Sequence, residues 1–135
     1  AGFLRVFDSS VVIRNASMTR GTSEAGGAVW MESSALEARN LRISNCRSSL
    51  DGGGIFANGT STVLCSNCVL ENNVAGRRGG AFSIKSKQQL LAVQITGSTI
   101  RNNSAEYGGN TSFLITPGAR HCMLCRRFAF CDFQS

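Results

Sequence analysis

Proline is nearly missing from this chain, with Pro117 alone among 135 residues. That excludes a Pro-rich linker, and fifteen Gly without a strict triplet period exclude a collagen-like rod. Histidine is as scarce: a Ser-His-acid triad would have to use His121, and no Gly-x-Ser-x-Gly turn, phosphate loop or dinucleotide fingerprint occurs. No run of about 18 apolar residues is present, so there is no candidate transmembrane helix. An h-region with a cleavage site is also missing, and the expectation is a processed mature chain or an excised fragment. Helical periodicity is absent apart from ambiguous positions around Glu32 to Arg39. Acids are the minority, eight against twelve Arg and two Lys, for a formal charge of +6. The Arg residues are spread over the chain rather than gathered in one block, so nucleic acid is not an expected partner, whereas an anionic or glycan surface is compatible with the excess.

What the chain has in quantity is glycine at a fixed spacing. The pairs Gly26-Gly27, Gly52-Gly53, Gly79-Gly80 and Gly108-Gly109 begin 26, 27 and 29 residues apart, and Gly54 extends the second. A period in this range marks stacked supersecondary units. Ahead of the pairs stand Met18-Thr19-Arg20-Gly21, Ile43-Ser44-Asn45-Cys46, Leu70-Glu71-Asn72-Asn73 and Ile100-Arg101-Asn102-Asn103, each headed by an apolar residue. After them come Ala28-Val29-Trp30-Met31, Gly54-Ile55-Phe56-Ala57, Ala81-Phe82-Ser83-Ile84 and the weaker Asn110-Thr111-Ser112-Phe113. Runs this short and rich in β-formers, punctuated by Gly and Asn, read as about two or three strands per repeat. Without hairpin signals between them, the strands wind into an all-β solenoid of about four coils, pairing in parallel at about 4.8 Å. An antiparallel sandwich is the alternative, but it does not require glycine pairs at one period. The solenoid predicts an inward column of Ile43, Leu70 and Ile100, glycines where coils turn or approach closely, and a hydrogen-bonded ladder of Asn73 and Asn103 along a bend.

Leu70 to Asn73 followed by Gly79-Gly80-Ala81-Phe82, together with Gly26-Gly27-Ala28-Val29, resembles the repeat of the polymorphic outer-membrane proteins over roughly residues 10 to 115. The chain departs from that pattern at Gly21 and Cys46, which replace the motif Asn, at Met, Ile or Leu in place of its Phe, and at Asn110-Thr111. The resemblance implies a right-handed parallel β-helix and a role in surface display or adhesion.

Six cysteines, Cys46, Cys65, Cys68, Cys122, Cys125 and Cys131, form two Cys-x-x-Cys pairs and two single positions. Zinc could take His121, Cys122, Cys125 and Cys131, although a His next to a ligating Cys is an awkward neighbour, and the two pairs lie far apart in sequence. An even count favours disulfides among the six, with reduced thiols the remaining reading. A redox Cys-x-x-Cys would want a helix starting at its first Cys, and Cys65 lies in a β-like run. The expectation is therefore no resident metal or cofactor. If Gly53-Gly54 aligns with the other pairs, Glu24, Asp51, Arg77 and Glu106 stack at one turn, which is the only acidic column a glycan-cleaving site could use. Glu71 and Arg101 align on successive coils as a cross-coil pair. Asn-x-Ser/Thr sites at Asn15, Asn58, Asn102 and Asn110 would permit glycosylation in a secretory route.

A composition shift near Pro117-Gly118 divides residues 1–117, the repeats, from residues 118–135, a Cys- and Phe-rich tail or cap. The ends of a solenoid need covering, so Phe3, Leu4 and Phe7 at one end and Phe128, Phe130 and Phe133 at the other are the interaction candidates. The functional expectation is a non-enzymatic structural or interaction module, either part of a surface protein or an accessory subunit of a membrane-associated assembly. Its partners would be proteins, and its setting the cell surface, the secreted space or an organelle lumen. The rival is a carbohydrate-active β-helix enzyme or glycan-binding adhesin module.

Overall fold

The computed structural model describes residues 2–59, 61–86 and 92–106, with strand backbone at 111–115, 124–125 and 132–134. The first coil holds β1 (Leu4–Phe7), β2 (Ser10–Thr19) and β3 (Thr22–Ser23), and the second β4 (Val29–Glu32), β5 (Ala35–Ser44) and β6 (Arg47–Ser48). The third holds β7 (Ile55–Asn58), β8 (Thr62–Ser66), β9 (Val69–Glu71) and β10 (Val74–Ala75). Then come β11 (Phe82–Ser86), β12 (Ala92–Thr96) and β13 (Thr99–Arg101), followed by β14 (Thr111–Ile115), β15 (Leu124–Cys125) and β16 (Asp132–Gln134).

All the strand pairings among the described residues are parallel, which removes the sandwich alternative. The first sheet stacks β1-β4-β7-β11-β14-β16, the second carries β2, β5, β8 with β9, β12 with β13, and β15, and the third stacks β3-β6-β10. The chain is an all-β parallel solenoid. Within residues 118–135, β15 pairs with β12 and β16 with β14, in the same parallel sense as the strands before them.

The long strands show how the sequence turns a corner without losing its core. In β5, Leu36 and Ala38 face inward, Arg39 and Asn40 are both exposed, and Leu41 and Ile43 face inward again. Strict alternation would have reversed the faces; Asn40, at φ 51°, absorbs one residue in the left-handed region and restores the phase. Asn15 and Asn67 do the same in neighbouring coils, and Gly97 follows in the fourth. A second left-handed column runs through Arg20, Asn45, Asn72 and Asn102, and a third through Gly26, Gly52 and Gly79. At Gly79, φ is +63° and a Cβ would collide with the Phe82 carbonyl. Gly53 is constrained by space instead, since a Cβ there would meet the Gly80 carbonyl of the next coil.

Registered coils bring equivalent residues into columns. Ile43, Leu70 and Ile100 stack as predicted, with Ile43 and Leu70 fully buried, and Met18 joins the column in the first coil. Fully burying a leucine contributes about 1.5–3 kcal/mol. The asparagine ladder also forms: the Asn73 amide and its Nδ2 donate to Asn103 Oδ1 at 2.9 and 3.0 Å, and Cys46 N donates to Asn73 Oδ1 at 3.0 Å. Asn73 Nδ2 and Asn103 Nδ2 also donate to the carbonyls of Ile43 and Leu70, so the buried amides satisfy backbone groups that the bend leaves over. The left-handed turn itself belongs to the preceding residues, Asn72 and Asn102. Serine does comparable work at another corner, where Ser34 Oγ accepts from Ser9 N and donates to Glu32 O, and Ser61 Oγ accepts from Ser34 N.

Candidate interaction surface

The acidic column predicted from sequence does not form. Gly27 N donates to Gly52 O and Gly53 N to Gly79 O, so Gly52-Gly53, not Gly53-Gly54, aligns with the other pairs. Asp51 consequently bridges Arg78 rather than stacking on Glu24, and Glu24 and Glu106 are both exposed. The Asp51 side chain is 2% exposed, paired with Arg77 Nη2 at 2.7 Å and Lys85 Nζ at 3.1 Å. Burial alone would raise its carboxyl, but the bonds from Arg77 and Lys85 outweigh that and hold it below the ordinary range. Glu71 is likewise clamped, by Arg101 as predicted and also by Arg42, which sequence reading missed. Arg101 and Arg42 keep the Glu71 carboxylate charged to lower pH than usual. Such carboxylates hold coils together. Neither is positioned as a proton donor with a second acid opposite.

Cys46, Cys65 and Cys68 are free thiols, which corrects the disulfide expectation for these three. Cys65 and Cys68 occupy the two inward positions that flank the Asn67 corner, where the coil before has Ala38 and Leu41. The Cys-x-x-Cys spacing is thus the core pattern of a corner, with Ser66 and Asn67 as its outward residues. Cys68 Sγ donates to the carbonyls of Ala38 and Ser66 at 3.5 and 3.4 Å. A hydrogen bond from Cys65 lowers the Cys68 thiol to about 6, while that contact and burial push Cys65 well up. Cys46 takes the Asn73 position of its own coil, and burial raises its thiol. No group of three or more His, Cys, Asp or Glu residues able to hold a metal occurs among the described residues. His121, Cys122 and Cys131 lie outside the described residues, as do Phe128 and Phe130, whereas Cys125 and Phe133 are placed only as strand backbone in β15 and β16.

The outer face of the first sheet carries an aromatic stack along the solenoid axis. Phe7 and Trp30 lie 4.9 Å apart, Trp30 and Phe56 6.3 Å, and Lys85 stands 5.8 Å from the Phe56 ring. The stack runs from closed to open: Phe56 is 7% exposed and Phe7 51%. Phe3 beside it is 53% exposed, and Leu4 is half-buried against the core.

The chain matches the family model described as Right handed beta helix region over residues 1–123. It belongs to that family. The match makes the solenoid a right-handed parallel β-helix, and it does not extend to the narrower outer-membrane repeat. No curated protein and no solved structure matches the chain. Among the described residues the strands of the first coil are paired on one side only, as are β10, β13, β15 and β16 at the other limit of the sheets. β1 and β3 end their sheets and β2 pairs with β5 alone, so one side of each strand has no described neighbour. Val11, Ile13, Ala16 and Met18, whose counterparts in β5 are buried or clasped, remain half-buried, and Val12 is 54% exposed.

Proposed function

We propose that this β-helix is a non-enzymatic structural and interaction module, a rigid spacer that engages a protein partner as part of a surface protein or as an accessory subunit of a membrane-associated assembly. The observation that carries the reading is the outer face of the first coil, where Phe3, Phe7 and Val12 are exposed on a regular scaffold whose Asp51 and Glu71 carboxylates are each engaged by two cations. Exposed apolar surface of this kind is what a protein neighbour can take up. The buried and paired states of Asp51 and Glu71 support the same reading against a glycan-cleaving enzyme, because a carboxylate clasped by two cations is a poor proton donor at neutral pH.

The test has two arms. Incubation with a panel of neutral and acidic polysaccharides should release no new reducing ends or unsaturated products, and turnover abolished by Asp51→Asn would replace the proposal with the enzyme. Cross-linking in the native source should join one stoichiometric protein to residues of the first coil. Cross-links confined to the chain itself would overturn the interaction role.

A further inference from the structure

The corner after the first sheet breaks its own pattern in the third coil. In the two coils before, the amides of Asp8 and Ser33 donate to the carbonyls of Glu32 and Asn58 in the next coil, at 3.1 and 3.0 Å. Register makes Gly59 the next residue in that column, and all three are left-handed, with φ of 46°, 48° and 73° for Asp8, Ser33 and Gly59. The Gly59 amide leaves the ladder. It donates instead to Oδ1 of Asn58, the residue just before it, at 2.9 Å.

That contact brings Asn58 Cγ, which is bonded to Oδ1, up to the Gly59 nitrogen. A bond between the two would close a cyclic imide. A peptide nitrogen is a poor nucleophile until it loses its proton, and the other end of the same peptide group favours that loss. The Asn58 carbonyl oxygen accepts from Ser61 Oγ at 2.8 Å and from Ser33 N at 3.0 Å. Donors on that oxygen stabilise the negative charge it gains as the nitrogen is deprotonated. Gly59 brings no side chain into the path of attack, whereas every other described asparagine is followed by a residue that has one. Asn58 and Gly59 are both half-buried, so water reaches the pair.

We propose that Asn58-Gly59 is a spontaneous modification site, at which the asparagine amide is converted to aspartate and isoaspartate through a cyclic imide. Hydroxide takes the Gly59 amide proton, and the nitrogen bonds to Asn58 Cγ. The bond from Cγ to Nδ2 breaks, and ammonia leaves with a proton from water. Water then opens the ring. Opening at Cγ leaves aspartate, and opening at the main-chain carbonyl leaves isoaspartate with an extra methylene in the backbone. Water is the sole co-reactant, so the step is independent of any partner. The new carboxylate stands between Glu32 and Lys85, the residues in register with Asn58 on either side. The isoaspartate form also removes the main-chain carbonyl that holds Ser33 and Ser61, so conversion loosens this corner.

The test holds the full, folded chain in mildly alkaline buffer and maps amide loss by mass spectrometry, with ammonia release and isoaspartyl methyltransferase labelling as further readouts. Asn58 should convert ahead of every other described asparagine, by about tenfold or more, because donors at a developing charge change a rate by at least that order. Asn58→Gln, whose longer side chain disfavours the ring, should abolish the signal. Ser61→Ala should slow conversion about tenfold in a variant whose circular dichroism spectrum is unchanged. The ranking of asparagines in the natural chain needs no variant and decides the site even if Ser61→Ala fails to fold. An Asn58 that stays an amide, or that converts after Asn15 or Asn102, would overturn the site. Conversion as fast or faster in folded Ser61→Ala would overturn activation through the Asn58 carbonyl.

Discussion

The first and third coils are built from one repeat and end up in opposite states. Leu70 is fully buried, whereas Met18 in the same column is half-buried; Phe56 is covered, whereas Phe7 is half open. Glu71 and Asp51 hold neighbouring coils together through Arg42, Arg101, Arg77 and Lys85. The side chains are of similar kinds, so the difference comes from the neighbours: among the described residues the third coil has one on each side, and the first has one. In a quasi-one-dimensional stack, stability is carried by interfaces between units, and an end unit possesses half of what an inner one does.

The sharpest way to break the comparison is to separate the coils. Gly79→Val forces a β-branched residue into a left-handed turn and onto the Phe82 carbonyl. It should cost about 4 kcal/mol or more, with loss of the folded circular dichroism spectrum. A folded variant with an unchanged denaturation midpoint would mean that the glycine column does not set the coil spacing. Next in size, Leu70→Ala should destabilise by about 2–5 kcal/mol, whereas Met18→Ala should cost about 1 kcal/mol or less because much of that side chain already meets water. Denaturant midpoints measure both, and equal losses would erase the contrast between the coils. Asn73→Ala, which strands the Cys46 amide and the Ile43 carbonyl, should cost about 1–3 kcal/mol. Asn102→Gly, at a left-handed position whose side chain is exposed, should be close to neutral.

The smallest effect is electrostatic. The folded Asp51 carboxyl titrates below its unfolded value of about 3.9, so the stability it adds is present above that pH and is lost as pH falls through the lower, folded value. Stability of the natural chain should therefore drop in acid, and Asp51→Asn should flatten that part of the curve while lowering stability at neutral pH. Thermal midpoints from pH 7 down to about pH 3 would show it. Curves of identical shape would mean that Arg77 and Lys85 contribute nothing through Asp51.

Much of this contrast was legible in the sequence. The glycine period marked the repeat, the apolar residue heading each Asn-containing stretch identified the Ile43, Leu70 and Ile100 column, and Asn73 with Asn103 marked the ladder. The acidic column failed because three consecutive glycines at 52–54 admit two alignments, and only backbone pairing selects one. Arg42 was missed because it reaches Glu71 diagonally, from two residues before Ser44, which is the residue in register with Glu71 on the strand alongside. The Asn15, Asn40 and Asn67 corners did carry a signal, Asn recurring at the coil period, that attention to the glycine pairs obscured. The same corners explain why Cys65 and Cys68 resembled a ligand motif: two inward positions separated by two outward ones have the spacing of a metal or redox pair.

The account's central claim is that the first coil, with a described neighbour on one side only, is the less secured part of the stack and offers the exposed aromatic face a partner takes up. Native-state hydrogen exchange on the chain alone tests it most directly, because local opening follows the number of interfaces each strand possesses. The amides of β5, β8 and β9 should exchange only with global unfolding, and those of β1, β2 and β3 at markedly lower opening free energy. If β2 is as protected as β9 in the isolated chain, the first coil is as secured as the inner ones, and the interaction reading is wrong.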